Sequence, residues 1–488
     1  MNQPHEACGV AALYAPKVNV GRQIAIALSA LQHRGQESAG IATADGEQVF
    51  VHKGMGLVTR VFGEHELAGL SGHVGIGHTR YSTTGTSHAR NIQPHVVETS
   101  LGPLAVAHNG NLTNARELRA WLLARGVGFT STTDSEIIMC ALATPTDTWA
   151  NDVPSNLEPS DPWIGRIRAF MSAAQGAYSL TILTRDATYA VRDPHGFRPL
   201  VLGYIDGQPV VVSETCALRA LGADFEREIE PGEIVRLGVE GATSIFGHEP
   251  ATLASCIFEH IYFARADSYL DGQVAYDIRM RLGRELAKEA PATADIVVGV
   301  PDSARPAAVG YSMESAMPYS EGLIRNNYVG RTFIEPGDEL RRSAVDLKYA
   351  PLLSVIRGKR VVLVDDSIVW GETSAHLTRI LHKAGAAEVH LRICSPPIRH
   401  PCYMGIDMGT YQQLLAHRLD VQGMCAWIGS DSLGFLSVQG MLSAVRDVTQ
   451  KDLGYCTACF SGLYPSPLPN SVTESSQEKR AFEGVWGN

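Results

Sequence analysis

The sequence predicts two unlike domains in one chain, an α+β unit built on antiparallel sheets followed by an α/β unit built on a mainly parallel one. At 488 residues the chain exceeds what one ordinary core encloses, so two or three domains are expected. From residue 8 to about 240, short β-rich runs (VGIGHTRYS, PLAVAHNGN, YSLTILT, TYAVRD, PVVVSET) are separated by polar turns, with helical stretches near Gly21–Leu31 and Ala115–Ala124. From about Ala264 the texture changes. Apolar strands (DIVVGVP, PYSEGLI, KRVVLVDD, EVHLRICS) now alternate with amphipathic stretches such as ETSAHLTRILHKAG, which is βαβ order. Between them Asn326 to Lys348 is long and polar, the character of a functional lid, and the Ser-, Pro- and Glu-rich end, residues 466–488, reads as a loosely ordered tail.

Composition narrows the function. The chain is 45% hydrophobic and 19% charged with a net charge of −10, which gives no electrostatic reason to expect nucleic acid as a partner. No apolar run approaches the ~18–20 residues of a membrane span, and MNQPHEACGV lacks the basic and apolar regions of a secretory signal. A cytoplasmic, reducing compartment follows, so the nine cysteines are read as catalytic, metal-binding or buried rather than as disulfides.

Cys8 heads the first unit. Downstream come LQHRGQESAG (Leu31 to Gly40), GHTRYSTTG (Gly77 to Gly85), AHNGNLTN (Ala107 to Asn114), STTDSE (Ser131 to Glu136) and DPHGFRPL (Asp193 to Leu200). Each places Arg, Asn, Asp or Gly in a turn beside a strand, where polar groups can converge on a polar ligand. An α-amine titrates near ~8 and a thiol near ~8.5, so a cysteine at a chain terminus carries its own general base. Removal of residues 1–7 would create that arrangement at Cys8.

In the second unit, KRVVLVDDSIVWGETSAHLTRIL reads as strand, loop and helix. Asp365 and Asp366 end the strand, and paired carboxylates suit vicinal ribose hydroxyls. Ser367, Gly371 and Thr373 open the helix, where free N–H groups and the dipole favour a phosphate. VVGVPDSARPAAVGY (Val297 to Tyr311) is a second strand-to-helix turn, which in the family named below would hold the pyrophosphate with Mg²⁺.

Together these motifs resemble the glutamine phosphoribosylpyrophosphate amidotransferases, over about residues 8 to 465. The resemblance implies an N-terminal-nucleophile hydrolase domain of αββα layers over 8–240, followed by a type I phosphoribosyltransferase domain over 241–465. It implies that Cys8 is the nucleophile, Asn109 and Gly110 the oxyanion donors, and Arg80, Asp134 and Arg34 the glutamine-binding set. Lys348 would join Asp365, Asp366, Ser367, Gly371 and Thr373 around the sugar phosphate, with Ser303, Asp365 and Asp366 at Mg²⁺. The chain departs from the usual pattern at Asn327, Asp346, Ala350, Trp370 and Glu372.

Cys456 and Cys459 form a C-x-x-C pair, with Cys402 in HPCYMGID and Cys256 in ASCIFEHIYF. By spacing alone four thiolates suit zinc or a [4Fe–4S] cluster; the resemblance is to the iron–sulfur-containing subfamily. Cys140, Cys216, Cys394 and Cys425 read as buried apolar residues. The implied reaction releases ammonia from glutamine at Cys8 and passes it to phosphoribosyl pyrophosphate, giving 5-phosphoribosylamine, glutamate and pyrophosphate, the first step of purine synthesis. Purine nucleotides would inhibit, and a homotetramer is implied. Two other readings stay open: a paralogue aminating a different acceptor, motivated by Asp346, Trp370 and Glu372, and a cluster-bearing regulator with a relic active site.

Overall fold

The computed structural model describes residues 8–81, 85, 87–145, 161–326, 348–446, 454–469 and 482. The leader, Asn327, Asp346 and most of the 466–488 tail therefore lie outside the described residues.

The β-rich half forms two antiparallel sheets. One has seven strands and includes Gly9–Tyr14 beside Val74–Arg80; the other has six and includes Gly102–Leu112 beside Gly176–Leu183. Period-two alternation decides which way each side chain faces. In the first strand Val10, Ala12 and Tyr14 pack between the sheets, against Ala105, Ala107 and Ala190 of the other sheet. Ala11 and Leu13 pack on the opposite side, among residues of the helices Val20–Ala30 and Thr215–Leu221. The outer face of the six-stranded sheet is covered by Ala115–Leu123, Asp134–Ala143 and Pro162–Ala173. The layer order is helix, sheet, sheet, helix, as expected. The strand Gly241–Phe246 pairs with Glu233–Gly238, so a division after residue 240 would part it from its own sheet.

The second half is a four-stranded parallel sheet with Ile296–Gly299, Arg360–Asp365, Glu388–Ile393 and Ser432–Phe435 side by side. Its strands are apolar on both faces because both faces are covered. Val297, Val362 and Val364 meet Ile278, Leu282 and Tyr311 on one side, and Val361, Leu363 and Leu391 meet Leu377, Leu381 and Met424 on the other. The PYSEGLI segment does not extend this sheet. It makes one parallel bridge, Val297 with Tyr319, and then Leu323–Arg325 pairs antiparallel with Tyr349–Pro351. The tail returns at Phe482, which is buried in the first half. Its ring and that of Phe129 lie 4.9 and 4.0 Å from the Arg119 guanidinium carbon, so this one tail residue is anchored. Among the described residues no helix is long and apolar enough to cross a membrane.

Candidate active sites

Cys8 sits immediately before the strand Gly9–Tyr14, which fixes its position to the centre of the seven-stranded sheet. It lines a small pocket with Arg80, Tyr81, Gln93, His108, Gly110, Thr133, Asp134 and Ser135. The thiol donates to the Tyr81 carbonyl at 3.3 Å. Burial pushes the thiol pKa up, and the nearby Arg80 cation offsets this only in part. A thiol held protonated needs a base before it can act as a nucleophile.

Arg80 ends its strand almost fully buried, donating to the Gly85 carbonyl at 3.0 Å. Asp134 opens a helix whose N-cap, Thr133, accepts from the Glu136 N–H. Burial works to raise the Asp134 pKa, but the His108 ring and the Leu112 N–H, 3.0 Å away, outweigh it and hold the carboxyl below its ordinary value. An anionic carboxylate and a guanidinium on one small pocket suit the two charged ends of an amino acid. Asn109 is fully buried, and its side-chain amide nitrogen and oxygen have no hydrogen-bond partner among the described residues. Gly110 beside it lines the pocket with φ of +151°, a conformation that suits glycine alone.

Arg34 is corrected. It is fully buried behind the pocket and does not line it. Its Nε donates to the Cys8 carbonyl at 3.1 Å, and its other nitrogens pair with Glu214 and with both oxygens of Glu259 at 2.7 and 3.0 Å. Burial works against the Arg34 charge, but the two glutamates outweigh it and raise its pKa. Arg34 therefore holds the Cys8 backbone and ties it to the second half. Glu214 also lies near His33 and Cys216, a trio close enough to hold a metal ion. That carboxylate is already occupied by Arg34, by the Ser268 hydroxyl and by the Arg265 N–H, so it serves as an ion-pair node. Gln93 and His108 were not singled out as site residues by sequence. His108 sits inside a quoted motif, whereas Gln93 follows no sequence signal; its side-chain oxygen accepts from the His108 N–H at 2.7 Å.

In the second half Asp365 and Asp366 are buried at the end of their strand. Ser303 and Ser367 donate to the two oxygens of Asp366 at 2.5 and 2.7 Å. Burial raises both carboxyl pKa values, and for Asp365 the neighbouring Asp366 charge adds to it. Such a pair is satisfied by a cation or by hydroxyl donors. Lys348 is near enough to pull Asp365 the other way. Gly371 caps the helix Glu372–Lys383 with φ of +85°, and a Cβ there would lie 2.4 Å from Leu415 Cδ2. Of the departures, Trp370 packs at the edge of the core, whereas Ala350 and Glu372 are exposed. The exposure of Glu372 leaves its repulsion of a phosphate screened by water.

The four cysteines come together at the junction. Ser255–Cys256 and Tyr455–Cys456 pair as parallel strands with Cys256 opposite Cys456. Burial raises all four thiol pKa values, with Cys256 pushed up to about 11 and Cys456 to about 12, and Arg198 works in the opposite direction on Cys256, Cys402 and Cys456. Of the other cysteines, Cys140, Cys216 and Cys394 are buried as expected. Cys425 is only half-buried, because its thiol donates to the Ser430 carbonyl at 3.1 Å in a surface turn.

Comparison with known proteins agrees with this geometry. A glutamine amidotransferase domain model matches residues 78–220. An amidophosphoribosyltransferase of Synechococcus elongatus is 50% identical, covering 97% of this chain and 94% of the relative. That of Methanothermobacter thermautotrophicus is 46% identical, covering 97% of each. Among solved structures, an allosteric regulatory enzyme of purine biosynthesis superposes with a TM-score of 0.88 at 39% identity, covering 98% of this chain and 100% of that one. The glutamine phosphoribosylpyrophosphate amidotransferase of Bacillus subtilis, complexed with ADP and GMP, gives 0.86 at 40% identity, covering 95% and 98%. Similar at that level over nearly the full length of each relative, the chain belongs to the amidophosphoribosyltransferase family.

Proposed function

We propose that Cys8, made N-terminal by loss of residues 1–7, attacks the side-chain amide of glutamine, and that the ammonia released displaces pyrophosphate from C1 of phosphoribosyl pyrophosphate at Asp365 and Asp366. In the first site Arg80 and Asp134 hold the α-carboxylate and α-amino groups. The Asn109 amide and the Gly110 N–H receive the oxyanion of the tetrahedral intermediate. The thioester that remains on Cys8 is hydrolysed to glutamate. In the second site Ser367, Gly371 and Thr373 take the 5′-phosphate at the helix start, and the acid pair takes the ribose hydroxyls. Lys348 lies beside them for the pyrophosphate. The observation that carries this reading is the meeting of the Cys8 thiol, Arg80, Asp134 and Gly110 in one pocket.

Mg²⁺ fits the second site. This ion takes one or two carboxylates together with substrate phosphates, and the Asp365–Asp366 pair with Ser303 offers that much and no closed cage. The cysteine quartet, gathered at the junction with Cys256 opposite Cys456, suits four thiolate bonds to a [4Fe–4S] cluster, the reading that the resemblance favours over zinc. When bound, such a cluster would supply a covalent tie between Cys256 at the junction and Cys402, Cys456 and Cys459. A thiol nucleophile and a thiolate-bound cluster both suit a reducing, cytoplasmic compartment. The ADP and GMP bound to the Bacillus subtilis relative support purine-nucleotide inhibition here, and light scattering tests the homotetramer that the resemblance implies.

The test is anaerobic assay of the mature chain with glutamine, Mg²⁺ and phosphoribosyl pyrophosphate. Equal release of glutamate and pyrophosphate is expected. Cys8→Ala removes the glutamine-dependent reaction and keeps the ammonia-dependent one. Glutamate without pyrophosphate would overturn the assignment of the acceptor.

A further inference from the structure

We propose that the turn Cys402–Gly405 of the second half is the positioning element of the oxyanion hole in the first, so that glutamine is hydrolysed only when the two halves are seated together. The proposal rests on the assignment of Gly110 as an oxyanion donor.

Gly110 is gripped from two sides. A Cβ on Gly110 would lie 2.1 Å from the Ala177 carbonyl oxygen of the neighbouring strand. On the other side, a Cβ on Gly405 would lie 2.8 Å from the Gly110 carbonyl carbon and 3.0 Å from its Cα and oxygen. The two backbones are thus in direct contact across the junction, and Gly405 has φ of +98°. A side chain at Gly405 would displace Gly110, and one at Gly110 would displace Ala177.

The residues around Gly405 are pinned by the first half. The Tyr403 carbonyl accepts from the Asn111 side-chain amide at 3.0 Å, one residue beyond Gly110. The Met404 carbonyl accepts from Arg198 at 2.8 Å, and the Met404 side chain is buried with Ala177 and Phe197. A second route runs from the same turn to the nucleophile. Arg198 pairs with Glu259 at 3.2 Å, Glu259 with Arg34 at 2.7 Å, and Arg34 holds the Cys8 carbonyl at 3.1 Å. One turn therefore supports both the donor that receives the oxyanion and the residue that creates it. Asn109, buried with its amide unpaired, depends on the same strand end for its aim. Preorganised donors are effective only while their position is fixed.

The test uses mature full-length enzyme carrying Gly405→Ala, Asn111→Ala or, as reference, Asn109→Ala. The probe is glutamate γ-semialdehyde. The Cys8 thiol adds across its carbonyl, the S–C bond forming as the C=O π pair moves to oxygen and takes up the thiol proton, with no change of oxidation state. That oxygen occupies the hole. Gly405→Ala and Asn111→Ala should each lower glutaminase kcat and semialdehyde affinity in parallel, by about tenfold or more. KM for glutamine should stay within about twofold, and ammonia-dependent synthesis should be unchanged. Unchanged semialdehyde affinity in both, while Asn109→Ala weakens it, would overturn the role of the turn. If Asn109→Ala also leaves it unchanged, the oxyanion assignment itself fails. If Gly405→Ala does not fold, Asn111→Ala alone decides.

Discussion

At the scale of single residues, Asn109 makes the sharpest claim on function. An amide with neither its nitrogen nor its oxygen bonded among the described residues costs stability, about 1–3 kcal/mol for an unsatisfied polar group, and that cost is consistent with a donor reserved for a transient charge. Asn109→Ala should therefore lower glutaminase kcat by about 10²–10³-fold while KM for glutamine barely moves. Steady-state kinetics of glutamate release measures both. Asp134 sets a pH expectation. Its pKa is lowered, so the carboxylate stays ionised down through the ordinary range of an aspartate, and KM for glutamine should be level from pH 8 to pH 5. A KM that climbs within that window would show that Asp134 does not bind the α-ammonium group. Cys8, Arg80 and Asp134 could be picked out in sequence as candidates because each sits in a short polar motif, and they lie at a strand start, a strand end and a helix start. The role of Arg34 could not. An arginine in a polar turn reads the same whether it faces a ligand or a buried carboxylate, and Glu214 and Glu259 are more than 170 residues away.

At the scale of elements, the strand, loop and helix around Asp365 to Lys383 follow closely from sequence. The apolar run, the paired acids and the glycine at positive φ are all local signals. The Tyr403–Gly405 turn and the placement of Leu323–Arg325 are not local, since a partner far along the chain decides each. Glu372 is the element's anomaly, an acid on the first residue of a helix that should receive a phosphate. It is favourable to the free helix, because an anion there complements the dipole, and it competes with substrate for the same field. Being exposed, it should cost about 1 kcal/mol at 4 Å in a water-like dielectric. Glu372→Thr should accordingly lower KM for phosphoribosyl pyrophosphate about fivefold, with the glutaminase half-reaction unaltered. The same substitution should slightly destabilise the enzyme without substrate, which a thermal melt with and without the sugar phosphate separates.

At the scale of the whole molecule, the two halves are joined by a buried charge network rather than by apolar surface alone. Arg34 and Arg198 from the first half share Glu259 from the second, and Glu214 supports Arg34 from behind. Burial works to raise the Glu214 pKa, but His33 and Arg34 outweigh it and depress it well below the ordinary value. A depressed carboxylate contributes stability that is present above its unfolded pKa of about 4.3 and lost as pH falls through the folded value. The Glu214 contribution should thus be present from pH 8 to pH 5 and be lost only in strong acid. Glu259 is the sensitive member because it serves both arginines. Removing its charge leaves two buried guanidinium groups sharing the remaining acceptors, and breaking a buried pair costs about 3–5 kcal/mol. Glu259→Gln should lower the unfolding free energy by about that amount in denaturant titration. The functional loss should also be selective. Ammonia-dependent synthesis, which takes place wholly at the proposed second site, should survive wherever the chain remains folded. Glutamine-dependent synthesis should fall further than the glutaminase rate, because a loosened junction both misplaces Cys8 and lets ammonia escape before it reaches the sugar. The ratio of pyrophosphate to glutamate formed measures that escape directly. A ratio that stays at one in Glu259→Gln would show that ammonia transfer does not depend on this network.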